Sequence, residues 1–143
     1  MAAEQTKLRQ IELKLFKLNS ETFSFKLINI KEIIEKPQII DVPKSDDYIA
    51  GIINLRGEII TIYNLKRKIG MLPAEIPANS MVIIVEHQNY KLGVLVDSVE
   101  KVKSISFANI EDVPTQVAGV SANYLEGVGR VEDRPVLILN IDK

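Results

Sequence analysis

The sequence predicts a mainly β protein made of two similar small β barrels with a few short helical turns, and three observations carry that expectation. Its hydrophobic residues include 21 Ile and 13 Val against 13 Leu and 8 Ala, and side chains branched at Cβ suit pleated strands better than helices. They fall in short runs that alternate with polar residues or fill with apolar ones, separated by turn chemistry. The two halves also repeat. Leu27-Ile28-Asn29, Glu32 and Ile34 match Leu95-Val96-Asp97, Glu100 and Val102 at an offset of 68. Tyr48-Ile49-Ala50-Gly51-Ile52 matches Tyr124-Leu125-Glu126-Gly127-Val128, and Ile62 and Asn64 match Ile138 and Asn140, at an offset of 76. One eight-residue insertion before Tyr124 reconciles the two offsets.

In chain order, residues 1–9 are polar and read as a flexible tail ahead of a single domain at 10–143. Ile11, Leu13 and Leu15 alternate with Glu12 and Lys14, and a second alternation, Phe23, Phe25 and Leu27, follows Asn19-Ser20-Glu21 to complete a hairpin. Ile30, Ile33 and Ile34 stand at i, i+3, i+4 and predict one or two helical turns, which Pro37 ends. Gln38 to Val42 reads as a short strand and 42–47 as a loop. Ile49 to Ile53 and Glu58 to Tyr63 are strands around Asn54-Leu55-Arg56-Gly57, where Gly57 can take the positive φ of a tight hairpin. Asn64 caps a short helix, Leu65 to Ile69, that Gly70 closes.

Met71 to Ser80, with Pro73 and Pro77, reads as the linker between subdomain 1 at 10–70 and subdomain 2 at 81–143. The β pattern then resumes with Met81 to Glu86, a turn at His87-Gln88-Asn89, and Tyr90 to Val96. Asp97 to Ile105 continues it, a loop spans 106–122, and Tyr124 to Val131 with Val136 to Ile141 closes the fold. Neither barrel alone can bury a large core. The two are therefore expected to pack on a shared apolar core, with a groove at their junction.

Composition excludes much chemistry. Eighteen Lys+Arg against 19 Asp+Glu leave a net charge of -1, so no global field draws nucleic acid or anionic lipid. No apolar run approaches the roughly 20 residues of a membrane-spanning helix, and the first residues carry no signal pattern, so the expected location is cytoplasmic. There is no Cys, and the single His87 falls in a turn with no second His to orient it. The acidic pairs Asp46-Asp47, Glu111-Asp112 and Glu132-Asp133 lie in loops as solvated charges. Gly127-Val128-Gly129 opens no helix, and Lys66-Arg67-Lys68 reads as the solvated face of the short helix. No catalytic residue, metal or cofactor is expected. By its chemistry alone Asn54-Leu55-Arg56-Gly57 is a hairpin turn, with Arg56 for solubility.

A resemblance adds to that reading. Tyr48 to Leu65, with Gly51-Ile52-Ile53-Asn54-Leu55-Arg56-Gly57 at its centre, resembles the signature G-V-x-N-L-R-G-x-I-x-P-V-x-D-L of the CheW family, the coupling proteins of bacterial chemotaxis. Gly93 to Val102 resembles the family's G-x-x-V-D-x-V-x-x-V, and Tyr124 to Asp142 its closing strands. The sequence departs from the signature at Thr61, usually Pro, and Asn64, usually Asp. The resemblance implies two SH3-like five-stranded barrels and a non-enzymatic adaptor. It would join the regulatory domain of the histidine kinase CheA to the cytoplasmic tip of methyl-accepting chemoreceptors, in membrane-associated receptor arrays. By the same resemblance the receptor surface includes Ile30, Glu32, Asn54, Arg56 and Gly57, with Glu32 alternatively a solvated charge on a short helix. The kinase surface is expected in the second half, after Ser80. The alternatives are a CheW-like domain of a larger chemotaxis protein, or a generic β-barrel binding module, which eight aromatics without a basic stripe disfavour for nucleic acid.

Overall fold

The computed structural model describes residues 9–35, 38–43, 46–71, 76–112, 116–117, 120–121 and 124–140. In order, the strands are β1 (Gln10–Leu18), β2 (Glu21–Lys26), β3 (Ile30–Glu35), β4 (Ile49–Leu55), β5 (Glu58–Asn64), β6 (Met81–His87), β7 (Tyr90–Val96), β8 (Ser98–Ser106), β9 (Gln116–Val117), β10 (Val120–Ser121), β11 (Leu125–Val131) and β12 (Arg134–Leu139). One short helix, α1 (Leu65–Ile69), follows β5, and 3-10 turns occupy Leu27–Asn29 and Phe107–Asn109. The fold is mainly β, as the excess of Ile and Val requires.

Two five-stranded sheets hold most of the strands, in the orders β11-β12-β2-β1-β8 and β3-β6-β7-β5-β4. They correspond to two compact units: unit 1 is residues 1–28 with 99–143, and unit 2 is residues 29–98. This corrects the expected division at 10–70 and 81–143. The segment 71–80 joins α1 to β6 inside unit 2 and links no subdomains, and its residues 72–75 lie outside the described part.

The repeat explains the correction. An offset of 68 carries β1–β2 onto β6–β7 and β3 onto β8, and an offset of 76 carries β4–β5 onto β11–β12. In those terms both sheets have one strand order, which fits the SH3-like expectation. Each sheet, however, takes its first hairpin from one half of the sequence and its other three strands from the other half. Alternation reveals that a segment is a strand, but the partner is chosen by tertiary contact. Two short parallel ladders take part in the exchange, Leu137 and Ile138 against Phe23 and Ser24, and Ile62 to Asn64 against Gly93 to Leu95, beside the β3–β6 and β1–β8 pairings.

The repeat holds down to single hydrogen bonds. The Asn64 N–H donates to the Tyr48 carbonyl at 2.7 Å, and the Asn140 N–H to the Tyr124 carbonyl at 2.8 Å. Ile40 and Ile52 exchange backbone bonds, as do Glu111 and Val128. The strands β4 and β11 shift register at matching places, between Ile49 and Gly51 and between Leu125 and Gly127. A Cβ on Gly51 would stand 2.3 Å from the Ile40 carbonyl oxygen, so only glycine lets that bridge close. Of the short strand expected at Gln38 to Val42, only this Ile40 bridge forms.

Alternation supplies a core to each unit. In unit 1 Leu13, Leu15, Ile105, Val131, Val136 and Ile138 cluster, and in unit 2 Ile53, Ile60, Ile62, Val82, Ile84 and Leu95. The opposite face is buried too where Phe16 stacks on Phe23 and Phe25, with ring centroids 6.2 and 5.2 Å apart. The helical turns expected at Ile30 to Ile34 are the strand β3. A bulge between Ile30 and Glu32 inserts one residue, so positions three apart share a face and imitate helical spacing. Arg9, assigned to the flexible tail, is tied to unit 1: its carbonyl accepts the Phe107 N–H at 3.1 Å and its guanidinium lies 5.9 Å from the Phe107 ring.

Because each sheet needs strands from both halves, a chain cut between Met71 and Met81 is expected to give two fragments that do not fold alone. Proton-nitrogen NMR spectra of the separate fragments check this; a dispersed native-like spectrum from either one would contradict the exchanged pairing.

Candidate functional site

The hairpin tip between β4 and β5 is built by its own sequence. Leu55 pairs with Glu58, leaving Arg56 and Gly57 as the two central residues, at φ 52° and 85°. Two consecutive left-handed residues make a type I′ turn, whose twist matches the flanking strands. The Asn54 Oδ1 accepts the Gly57 N–H at 2.9 Å and braces the turn from inside. The same device recurs at Gln88-Asn89 and Glu132-Asp133, all at positive φ.

Arg56 is 72% exposed at the side chain and donates through Nη2 to the Glu32 Oε1 on β3. The strands β3 and β4 are opposite edges of their sheet. In a flat sheet, three or four strand spacings of about 4.8 Å would hold β3 roughly 14 to 19 Å from the β4–β5 tip. An Arg–Glu pair bridges that distance only if the sheet curls on itself as a barrel does. Across the tip the Lys91 ammonium meets the Glu58 Oε1 at 3.2 Å. Four charges of alternating sign, Glu32, Arg56, Glu58 and Lys91, therefore surround the turn. The hydrogen bond from Arg56 is the main reason the Glu32 carboxyl is held below its ordinary value, with Lys91 adding to it; the same bond raises Arg56.

Of the residues assigned to a receptor surface, the fold brings Glu32, Asn54, Arg56 and Gly57 together. Ile30 lies on the same strand as Glu32, half-buried, at the start of the bulge and opposite Val85. Glu32 is on a strand and partnered, which corrects its reading as a solvated charge on a helix. Ile59, paired with Asn54 across the hairpin, is 61% exposed, and the uniform Glu58-Ile59-Ile60 run gave no sign of which Ile faces out.

The basic cluster after β5 is also corrected. Asn64 caps α1 by accepting the Arg67 N–H, and Gly70 closes it at φ 83°. Lys66 is not solvated: its Nζ lies 2.8 Å from the Asp97 Oδ1, with side-chain exposures of 5% and 18%. The pair joins the ends of the parallel strands β5 and β7, where Asn64 is opposite Leu95. Lys68 stands 4.3 Å from the centroid of the Tyr48 ring, which also packs against Tyr63 at 5.7 Å. The Tyr48 hydroxyl donates to Asp46 Oδ2 at 2.9 Å, and that bond raises its pKa. A cleft in unit 1 is lined by Gln10, Ile11, Glu12, Lys26, Leu27 and Ile28, the last almost wholly exposed. Among the described residues no three His, Cys, Asp or Glu converge as metal ligands, and no helix is long and apolar enough to cross a membrane.

Comparison with known proteins matches residues 12–143 to the CheW-like domain family. The chain is 32% identical over 136 residues to the chemotaxis protein CheW of Thermotoga maritima, covering 95% of this chain and 88% of that one. It is 28% identical over 138 residues to CheW of Treponema pallidum, covering 94% and 81%. The crystal structure of the scaffolding protein TtCheW from Thermoanaerobacter tengcongensis superposes with a TM-score of 0.85 at 29% identity, covering 93% of this chain and 86% of that one.

Two measurements check the electrostatics. Lys66→Met removes the ammonium that meets the Asp97 carboxylate at 2.8 Å and is expected to lower stability by about 3 kcal/mol in urea denaturation; an unchanged midpoint would mean that the pair contributes little. Glu32 is depressed in the folded chain, so its pairing is complete above the ordinary carboxylate range and lost as pH falls through the lower folded value. Carboxyl NMR titration should show Glu32 moving up toward the ordinary value in Arg56→Gln; an unmoved midpoint would mean that Arg56 is not the cause.

Proposed function

We propose that this chain, which belongs to the CheW-like domain family of chemotaxis scaffold proteins, couples the cytoplasmic tips of transmembrane chemoreceptors to the histidine kinase CheA, so that receptor state sets kinase autophosphorylation. The chain works by holding partners and not by catalysis, at membrane-associated receptor arrays in the cytoplasm. Coupling requires two surfaces that do not overlap on one folded body, so that both partners are held at once.

The observation that supports the receptor surface is the Arg56–Glu32 pair on a turn whose geometry is set by Asn54 and Gly57. The backbone of the turn is fixed before any partner arrives, so little ordering entropy is lost on binding. Arg56 presents a planar, permanently charged fork with free donors beyond the one given to Glu32, suited to carboxylates and to carbonyls at a helix end. A helical receptor tip offers both. The exposed Ile59 and half-buried Ile30 add apolar area beside the charges, the combination by which an amphipathic helix is recognised. The kinase surface is assigned to the second half of the sequence, after Ser80.

Arg56→Glu tests the proposal. Because Arg56 is exposed, the fold should keep its stability to within about 0.5 kcal/mol, read as the melting temperature. Receptor affinity should fall at least tenfold, about 1.4 kcal/mol, from lost charge-assisted bonds and from repulsion of the partner's acidic groups that faced Arg56, while kinase affinity changes little. Unchanged receptor affinity in the folded variant would remove Arg56 from the receptor surface. In a reconstituted mixture the wild-type chain should raise receptor-dependent kinase autophosphorylation and turn over no ATP by itself; ATP hydrolysis by the lone chain would overturn the adaptor reading.

A further inference from the structure

The two units are built alike, yet the proposed receptor surface occupies only one of them. Carrying the Arg56 tip over by 76 residues lands on the β11–β12 tip, where Glu132 and Asp133 replace Arg56 and Gly57 at φ 53° and 64°. The backbone device is the same type I′ turn. A strand equivalent to β3, namely β8, stands in position to meet it. An ion pair does join turn and strand there, with the signs exchanged. Glu132 Oε1 lies 3.0 Å from the Lys101 Nζ and 3.7 Å from the Lys103 Nζ on β8. Glu100, at the place of Glu32 in the repeat, takes no part in those contacts. The carboxyl of Glu132 is lowered, chiefly by its bond to Lys101, so the turn carries a full negative charge at neutral pH. Both tips are open to solvent: Glu132 is 56% exposed and Lys101 49% at the side chain.

We infer that Glu132, held by Lys101 and Lys103, is a specificity determinant that denies the receptor tip a second site on unit 1. Two equivalent turns on one chain would otherwise offer two similar docking positions, and an adaptor that accepted its receptor at both would lose its direction. The backbone of the turn does not separate the two tips, because both are type I′. Charge can: a ligand surface arranged to meet a cation at the turn and an anion on the neighbouring strand meets like charges at both places on unit 1. Like-charge contacts at an interface are strongly unfavourable, and rejection of the wrong site is as much a part of specificity as attraction to the right one. The inference rests on the receptor reading of Arg56.

The test exchanges the pair in place. Lys101→Glu/Glu132→Arg keeps an ion pair between the same two positions but gives it the polarity of Glu32 and Arg56. The probe is a soluble cytoplasmic hairpin of a chemoreceptor, titrated calorimetrically against the full chain. Wild type should bind one hairpin per chain, Arg56→Glu should lose at least tenfold in affinity, and Arg56→Glu/Lys101→Glu/Glu132→Arg should recover at least threefold of that loss. In the otherwise wild-type chain the exchange should raise the stoichiometry above one. Should the exchanged pair fail to fold, as judged by circular dichroism, Glu132→Gln in the Arg56→Glu background carries the test, with a smaller recovery expected because the anion is removed and no cation added. A folded variant that binds no better than Arg56→Glu overturns the inference. Wild type that binds no hairpin, or Arg56→Glu that binds as well as wild type, overturns the receptor reading instead.

Discussion

Two parallel ladders of two or three residue pairs, β12 on β2 and β5 on β7, hold strands together that come from different halves of the chain. Antiparallel hairpins form locally, and the two five-stranded sheets contain four of them: β1–β2, β4–β5, β6–β7 and β11–β12. A hairpin alone is marginal in water. Only when a parallel ladder docks one hairpin beside another does a sheet wide enough to enclose an apolar cluster exist. The buried Ser24 hydroxyl, bonded to the Leu137 carbonyl at one ladder, and the Lys66–Asp97 pair, at the end of the other, mark how much polar chemistry is committed to these seams. A buried ion pair is an uneven stabiliser, since desolvation offsets much of its attraction. Its value lies in what a wrong register would cost, because it would part a buried ammonium from the carboxylate it meets at 2.8 Å.

Local structure was legible in the sequence wherever one signal decided it. Asn64 and Gly70 delimited α1, Gly57 marked a tight turn, and the alternation at Ile11 to Leu15 marked β1. The internal repeat was legible as well, down to the correspondence of Tyr48 with Tyr124 and Asn64 with Asn140. What the sequence hid was which half supplies which strand, since nothing in an apolar run distinguishes a partner 10 residues away from one 113 residues away. The bulge in β3 hid too, because one inserted residue turns a period of two into an apparent period of three and a half.

At the site, the turn residues were visible by motif and the partnership of Arg56 with Glu32 was not, for it depends on the curl of a sheet that brings opposite edges together. Lys66 was misplaced for a similar reason. Three consecutive basic residues on a five-residue helix cannot all face solvent, and Lys66, beside the buried Leu65 and three residues before the buried Ile69, is the one that turns inward to Asp97. Charge composition describes a surface on average, whereas the fate of a single charge is set by the one or two neighbours the fold delivers.

The exchanged hairpins also order events while the chain is being made. Every strand of unit 2 has been synthesised by residue 96, so that unit can close early. The β1–β2 hairpin emerges first, yet its ladder partner Leu137 lies 113 residues beyond Ser24. At roughly 5 to 20 residues per second, Phe23 and Phe25 wait on the order of 6 to 20 seconds for β12 to arrive. During that interval the most aromatic stretch of the protein is uncovered on a nascent chain. The first-made hairpin of this fold is thus the one that waits longest for a strand on its second edge.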